Sequence, residues 1–458
     1  MPRNEPTPYE LLSEDNLLIV SGDSHVGLPV EQYAEYMDPA FRPALDVCYE
    51  DEKRFADFLK SFKWFTPEEV ELIDCRGELK VGLNYRAVRD PQARLASAEV
   101  EGVAAEILYP LSGVEHAFTP CFSGANRPFP AETRAAGSRA YNRWLAEFCS
   151  YAPDRLIGAA AIVEWPDPAG AAAQVRQARE MGLRAVFPPQ GPGLPDGGPA
   201  FSHRAWDPFW AACAELEMPV VFHVGFGRPQ GQTQAALEKA LAELRAGNPE
   251  GKLDPADAIF RQDWSARTPL WSIAGTGVFD RHPGLRIAFS EVRADWVPAT
   301  LRVLDRMHAE GKTTSARRPS EYWALNCAVV ATAIRPNEVE MRHEIGLDNL
   351  LFGTDMPHTE GTWPNTHEWL RATFGGVPEH EVRNILGENA IDFFGLDEKV
   401  LREVAARVGV SYADVTTNEP VDPDLLAHFD RRSGYRKPPA VIDEAEITRL
   451  INRDLATR

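Results

Sequence analysis

The sequence predicts a (β/α)8 TIM barrel, and three observations predict it. Eight short apolar runs, many of them rich in β-branched residues, alternate with helical stretches. Four of those runs end in a residue that binds divalent metals: Asp23-Ser24-His25 after 17–20, His223 after 219–222, Glu291 after 285–290 and Asp355 after 349–354. Metal-ligand chemistry at the carboxyl ends of successive parallel strands is how a βα barrel builds its active site. The third observation is size: 458 residues exceed the ~250 of a minimal barrel, so insertions are expected.

Taken in order, the candidate strands are 17–20, 104–109, 157–162, 184–187, 219–222, 285–289, 324–331 and 349–352. Helices are expected between them over 132–151, 168–181, 207–216, 296–310 and 367–374. Asp167-Pro168-Ala169 starts a helix well, with an Asp at the cap and Pro in the first turn, and Gly182 stops the same helix. Strand seven is interrupted by Asn326 and Cys327. Long insertions follow strands 1 and 5, over about 28–91 and 225–268. The first carries aromatics among lysines in 58–65, including Trp64; the second carries a surface helix over 238–245. Both follow ligand-bearing strands, so they are expected over the catalytic face as lids or substrate walls, with subunit contact as the competing reading. The barrel domain is read as 14–397, and 398–458 as a C-terminal helical extension.

Net charge is −20, from 48 basic and 68 acidic side chains, which disfavours nucleic acid and anionic membranes as partners. The polar start and the lack of any run near 18 apolar residues predict neither signal peptide nor membrane span. Six scattered cysteines without a Cys-x-x-Cys pair fit reduced thiols in a cytoplasmic protein.

Alternation along a strand puts Asp23 and His25 on one face and Ser24 on the other, so one strand end offers an oxygen and a nitrogen. His223 ends a buried run, where its ring nitrogens need partners; a core histidine bonded to backbone is the bland alternative. Asp355, in Gly353-Thr354-Asp355-Met356-Pro357-His358, needs a cation or several donors, with a helix cap as its competitor. Two carboxylates and two neutral imidazoles would compensate one divalent ion and leave positions for water or substrate. Ligation by N and O alone suits zinc first, with manganese or iron as alternatives. His358 and Glu360 sit on the loop after strand eight, on the catalytic face. His358 is read as a proton donor or charge stabiliser and Glu360 as a substrate contact. His116 is placed near the mouth, and Arg184 is a candidate for a substrate carboxylate or a surface ion pair.

The stretches Gly22-Asp23-Ser24-His25, Ile107-Leu108-Tyr109-Pro110, 219–225, Phe289-Ser290-Glu291 with Trp296-Val297-Pro298, 353–364 and Ile385-Leu386-Gly387-Glu388-Asn389-Ala390 follow one another in a recognisable order. Over about 15–397 the chain resembles the amidohydrolase-related family. The branch concerned holds metal-dependent hydrolases and decarboxylases similar to aminocarboxymuconate-semialdehyde decarboxylase. The resemblance implies Asp23, His25, His223 and Asp355 as metal ligands and a homodimer. Two departures stand out. No lysine lies in Leu183-Arg184-Ala185-Val186-Phe187, where binuclear members carry one, so a single metal is expected. Glu291 stands where many members place a histidine after strand six, as ligand, proton carrier, orienter or a structural partner of Arg293.

The leading expectation is a metal-dependent hydrolase acting on a small apolar or aromatic substrate. Metal-activated water would cleave an amide, ester, lactone or activated C–C bond, with Asp355 carrying the proton and His358 assisting. The alternative is non-oxidative decarboxylation of an aromatic or enoic acid on the same scaffold. A non-catalytic binding barrel is the third reading; it predicts a missing ligand, and all four positions are filled.

Overall fold

A computed structural model describes residues 16–50, 86–111, 129–162, 167–189, 198–224, 263–358, 360–417, 419–437 and 443–456. Eight parallel strands lie side by side in chain order: β1 (Ile19–Val26), β2 (Val103–Pro110), β3 (Leu156–Ala161), β4 (Ala185–Phe187), β5 (Val220–His223), β6 (Ile287–Ser290), β7 (Cys327–Thr332) and β8 (Leu350–Gly353). The ring is drawn together where the chain leaves β8. Asp355 N donates to Asp23 O at 2.9 Å and His25 N to Met356 O at 2.7 Å, so three of the proposed ligands sit on the seam. This is the (β/α)8 barrel that the sequence predicts.

The lumen is filled by small and branched side chains, among them Val20, Ala104, Ala159, Val221, Ala288, Val330 and Leu351. Helices Asn389–Phe394 and Glu398–Val408 plug its amino end with Ala390, Ile391, Phe394, Leu401 and Ala405. Larger side chains, including Trp206, Trp210, Trp271 and Trp296, fill the layer between strands and outer helices. Helix Pro168–Glu180 begins as expected, with Asp167 accepting from Ala169 N at 3.1 Å. Past residue 397 the described residues include helices Glu398–Val408, Tyr412–Val415, Pro423–Ser433 and Glu444–Ala456, and Ile447 and Ile451 of the last are buried in the outer core.

Three differences from the sequence reading have local causes. β1 runs on through the motif to Val26, because Ser24, His25 and Val26 pair with Leu108, Tyr109 and Pro110 of β2. Residues 324–326 belong to helix Pro319–Asn326, and β7 starts at Cys327. The reason is Asn326, whose amide donates to Pro283 O (2.9 Å) and Leu285 O (2.8 Å). Arg184 lies just before β4, at the plugged amino end of the barrel, where its guanidinium donates to the carbonyl of Gly395. It is thus placed away from the proposed ligands, since a residue that opens a strand sits a strand's length from one that closes it. The insertions' aromatic run 58–65 and helix 238–245, and also His116, lie outside the described residues. No helix among the described residues is long and apolar enough to cross a membrane.

Candidate metal centre

The carboxyl ends of β1, β5, β6 and β8 bring five ionisable side chains together. Val20 and Asp23 both face the lumen, an odd spacing that alternation alone forbids. A register shift between Ser21 and Ser24 supplies the extra residue. Beyond it the alternation resumes: His25 turns in, while Ser24 donates outward to Glu106 at 2.9 Å. Gly353 makes room for this bend, because a Cβ there would lie 2.8 Å from the Asp23 Cβ. On the other side, Glu291, the residue after β6, and Asp355, two residues after β8, have left-handed backbone, φ 55° and 59°. Side chains larger than glycine seldom adopt that region, and such strain gathers at functional sites.

Ligand atoms of Asp23, His25, His223 and Glu291 all lie within 4.8 Å of one another, and those of His25, Glu291, Asp355 and His358 form a second such group. The four proposed ligands are joined through contacts of 3.3 Å: His25 Nε2 to Asp23 Oδ1 and to Asp355 Oδ1, and His223 Nε2 to Asp23 Oδ1. Glu291 Oε2 is 3.4 Å from His223 Nε2, so it joins the donor ring. Arg293 pairs with Asp295.

The donor chemistry fits a divalent ion. His25 Nδ1 faces Pro110 O at 3.0 Å and His223 Nδ1 faces Val224 O at 3.2 Å. A carbonyl only accepts, so in the neutral rings Nδ1 carries the hydrogen and Nε2 presents a lone pair. Both lone pairs then point at carboxylate oxygens, which are also acceptors. Only a cation among them, proton or metal, makes that arrangement favourable. His25 Nε2, Asp355 Oδ2 and His358 Nε2 are buried without a hydrogen-bond partner, and such atoms are costly unless something is held there. Burial disfavours a charged His25, but the Asp23 and Asp355 carboxylates outweigh it and push its pKa up to about 10. Burial likewise opposes ionised Asp23, yet the His223 and His25 rings hold its carboxyl well below the usual range.

Several supporting residues are not among the site residues that the sequence singles out. Thr332, at the tip of β7, donates to Asp23 Oδ2 at 2.5 Å and fixes the carboxylate's outer oxygen. The Tyr109 hydroxyl donates to Gly22 O at 3.1 Å, and its ring lies 5.5 Å from that of His223. Phe187, ending β4, has its ring 6.3 Å from His223. Behind the seam, buried Arg94 pairs with Glu106 through two bonds of 2.7 Å and donates to His25 O at 3.1 Å. Position within a strand foretells Thr332; the others depend on which strands become neighbours. His358 Nδ1 meets Asp355 Oδ1 at 2.8 Å, while Glu360 lies farther along the same loop and belongs to neither donor group.

The amidohydrolase family model matches residues 73–396, more than half of the 458. The chain is 27% identical over 300 residues to gamma-resorcylate decarboxylase of Rhodococcus jostii (strain RHA1), across 62% of this chain and 85% of that one. Its fold is similar to that of an amidohydrolase from Mycobacterium avium subsp. paratuberculosis K-10, with TM-score 0.58 and 21% identity, covering 83% of this chain and all (100%) of that chain. It is also similar to a dihydroxybenzoic acid decarboxylase from Polaromonas sp. JS666 with bound manganese and the inhibitor 2-nitroresorcinol. There the TM-score is 0.56 and identity 18%, covering 84% and 98% of the two chains. With a barrel whose strand tips converge on one buried ring of donors and a family match along most of its length, this chain belongs to the amidohydrolase family.

Proposed function

We propose that the protein is a metal-dependent, non-oxidative decarboxylase of a hydroxylated aromatic acid. The sequence reading ranks hydrolysis first, with decarboxylation as its alternative. The likeness to a resorcylate decarboxylase, running over 85% of that enzyme, is the observation that moves decarboxylation ahead. The geometry agrees with it. Where binuclear relatives would need a lysine, β4 ends in Phe187, and the aromatic faces of Phe187 and Tyr109 lie beside His223.

In this reading Asp23, His25, His223 and Asp355 hold one divalent ion, with Glu291 in the same ring. Manganese is the first ion to test, given three carboxylates beside two imidazoles. Bound there, the ion would supply positive charge to hold a substrate carboxylate and stabilise developing negative charge. The chain's own residues do the proton work. Thr332 and the Nδ1 bonds of both histidines keep the donors oriented. The Asp355–His358 pair, in contact at 2.8 Å, would hold the proton destined for the ring carbon, with Asp355 Oδ2 buried and free of other bonds. The C–C bond breaks with its electron pair left on that carbon, which takes the proton as carbon dioxide departs. Solvent then returns a proton to the pair through His358. The partner in this reading is a small molecule, and a homodimer is the proposed assembly.

The test is a screen of hydroxybenzoic acids with manganese- and zinc-loaded protein in D2O, following carbon dioxide and deuterium at the vacated ring carbon. Stoichiometric release with one deuterium per product supports the proposal. Inert hydroxybenzoates together with ester or lactone hydrolysis that takes oxygen from labelled water would return hydrolysis to first place.

A further inference from the structure

The C-terminal extension reaches the catalytic end of the barrel through one side chain. Arg432, in the last turn of helix Pro423–Ser433, is 1% exposed. Its Nη2 donates to Thr362 O at 3.0 Å and its Nη1 to Trp363 O at 3.4 Å. The guanidinium lies over the rings of Phe429 (5.3 Å) and Trp369 (5.6 Å). No carboxylate is in ion-pair contact with it among the described residues, and Nε is without a partner. A buried guanidinium without an ion pair is a weak device for fold stability, because its bonds and ring contacts are set against the cost of desolvating it. What it does achieve is to satisfy two buried carbonyls of a single loop.

That loop is the one after β8, which carries Asp355 and His358. It turns back on itself tightly: His358 N donates to Asp355 O (2.7 Å) and Thr362 N to Thr354 O (2.9 Å). Gly361 is pressed so close that a Cβ would lie 2.3 Å from Thr354 O. Trp363 Nε1 donates to Ser97 Oγ at 3.2 Å, and Glu101 Oε2 accepts from Thr366 N at 2.9 Å, so the far side of the loop is tied as well. The same helix end is fastened to the neighbouring loops. Arg335, after β7, donates to Ser433 O at 3.0 Å, and its neighbour Glu338 accepts from Ala294 N, after β6, at 2.6 Å.

We infer that Arg432 is a positioning residue, which reaches from the C-terminal extension to the carbonyls of Thr362 and Trp363 and holds the β8 loop so that His358 stays on Asp355. The extension is thereby part of the catalytic end rather than an accessory. The activity arm of its test rests on the decarboxylase reading; the exchange arm does not.

The experiment compares manganese-loaded wild type, Arg432→Met and Arg432→Lys by amide hydrogen exchange, metal content and, where turnover is found, kcat and KM. Exchange in the peptide covering 355–364 is expected to be about tenfold or more faster in Arg432→Met, with β2, β3 and bound manganese unchanged. The kcat is expected to fall roughly 10- to 100-fold with KM within about threefold, because a slightly misplaced group loses rate before it loses binding. Arg432→Lys, which keeps the charge and one donor to the loop, recovers part of both. Native exchange over 355–364 in Arg432→Met overturns the inference, as does acceleration spread evenly over the barrel. If the methionine variant fails to fold, the lysine variant decides: intermediate exchange confined to 355–364 supports the inference, and native exchange there overturns it. Absence of decarboxylation with selective loosening of 355–364 rejects the proposed reaction and leaves the positioning role standing.

Discussion

The two ends of the barrel are built on opposite principles, although the same eight strands reach both. At the amino end the lumen is closed by Ala390, Ile391, Phe394, Leu401 and Ala405, apolar side chains from helices that follow the last strand. At the carboxyl end the same lumen opens onto Asp23, His25, His223, Glu291 and Asp355, with two of these residues in left-handed backbone. The apolar plug stabilises through surface removed from water. The donor ring costs stability, because several charges are desolvated within a few ångströms. The contrast teaches that the fold can carry its costly end because the other end, and the layer outside, are packed without compromise.

Substitutions at the two ends should therefore separate activity from stability. The largest effect is expected for His223→Ala: loss of the metal and a fall in turnover on the order of 10³-fold. Its metal-free melting temperature should stay within a few degrees of the metal-free wild type. Metal analysis beside calorimetry checks both, and a variant that keeps full metal would break the comparison. Phe394→Ala is the mirror experiment. Truncating a large buried side chain of the plug should cost about 3–5 kcal/mol in denaturant unfolding, with kcat/KM of the folded protein changed less than about threefold.

Arg94→Met sharpens the boundary between the ends. It leaves Glu106 charged and buried, a loss of about 3–5 kcal/mol, and it also removes the bond from Arg94 Nη1 to His25 O. Unlike the plug substitution, it should lower both stability and turnover. A drop in stability with wild-type kinetics would show that the seam tolerates loss of its clamp.

The smallest effect concerns His428 in the extension. Its ring nitrogens are buried without partners, and burial, aided by Arg432 and Arg431, pushes its pKa down to about 3 from an ordinary 6.5. Between those values the unfolded chain takes up a proton that the folded chain refuses. Stability from this group is therefore complete above about pH 6.5 and declines as pH falls toward 3. His428→Leu should flatten that decline, narrowing the stability difference between pH 7 and pH 5.5 by about 1 kcal/mol. Unchanged pH dependence in the leucine variant would show that His428 titrates normally.

Much of the architecture is legible in the sequence, because its signals are local. Strand and helix ends such as 157–162 and 168–181 fall within one or two residues of β3 (Leu156–Ala161) and helix Pro168–Glu180, because alternation, caps and breakers act over a few residues. Asp23, His25, His223 and Asp355 were legible as candidates for a similar reason: a polar ligand closing an apolar run is a local anomaly. Boundaries that depend on a distant partner were misread. Asn326 looked like an interruption of strand seven until Pro283 and Leu285 appeared as its acceptors. Arg184, read as a candidate for a substrate carboxylate or a surface ion pair, lies just before β4 and donates to the carbonyl of Gly395 at the plugged end.

By itself the sequence determined the strand count, the order of helices and strands, and the residue types available at each strand tip. Tertiary structure alone decided the rest. It set the register shift that turns Asp23 inward and the nearness of Glu291 to His223. It likewise made Thr332 the partner of Asp23, and brought Arg432 to a loop some seventy residues earlier. The physical reason is range. Periodicity and capping are written in neighbouring residues, whereas a converging ring of donors exists only once eight strands have closed and fixed which distant side chains face one another.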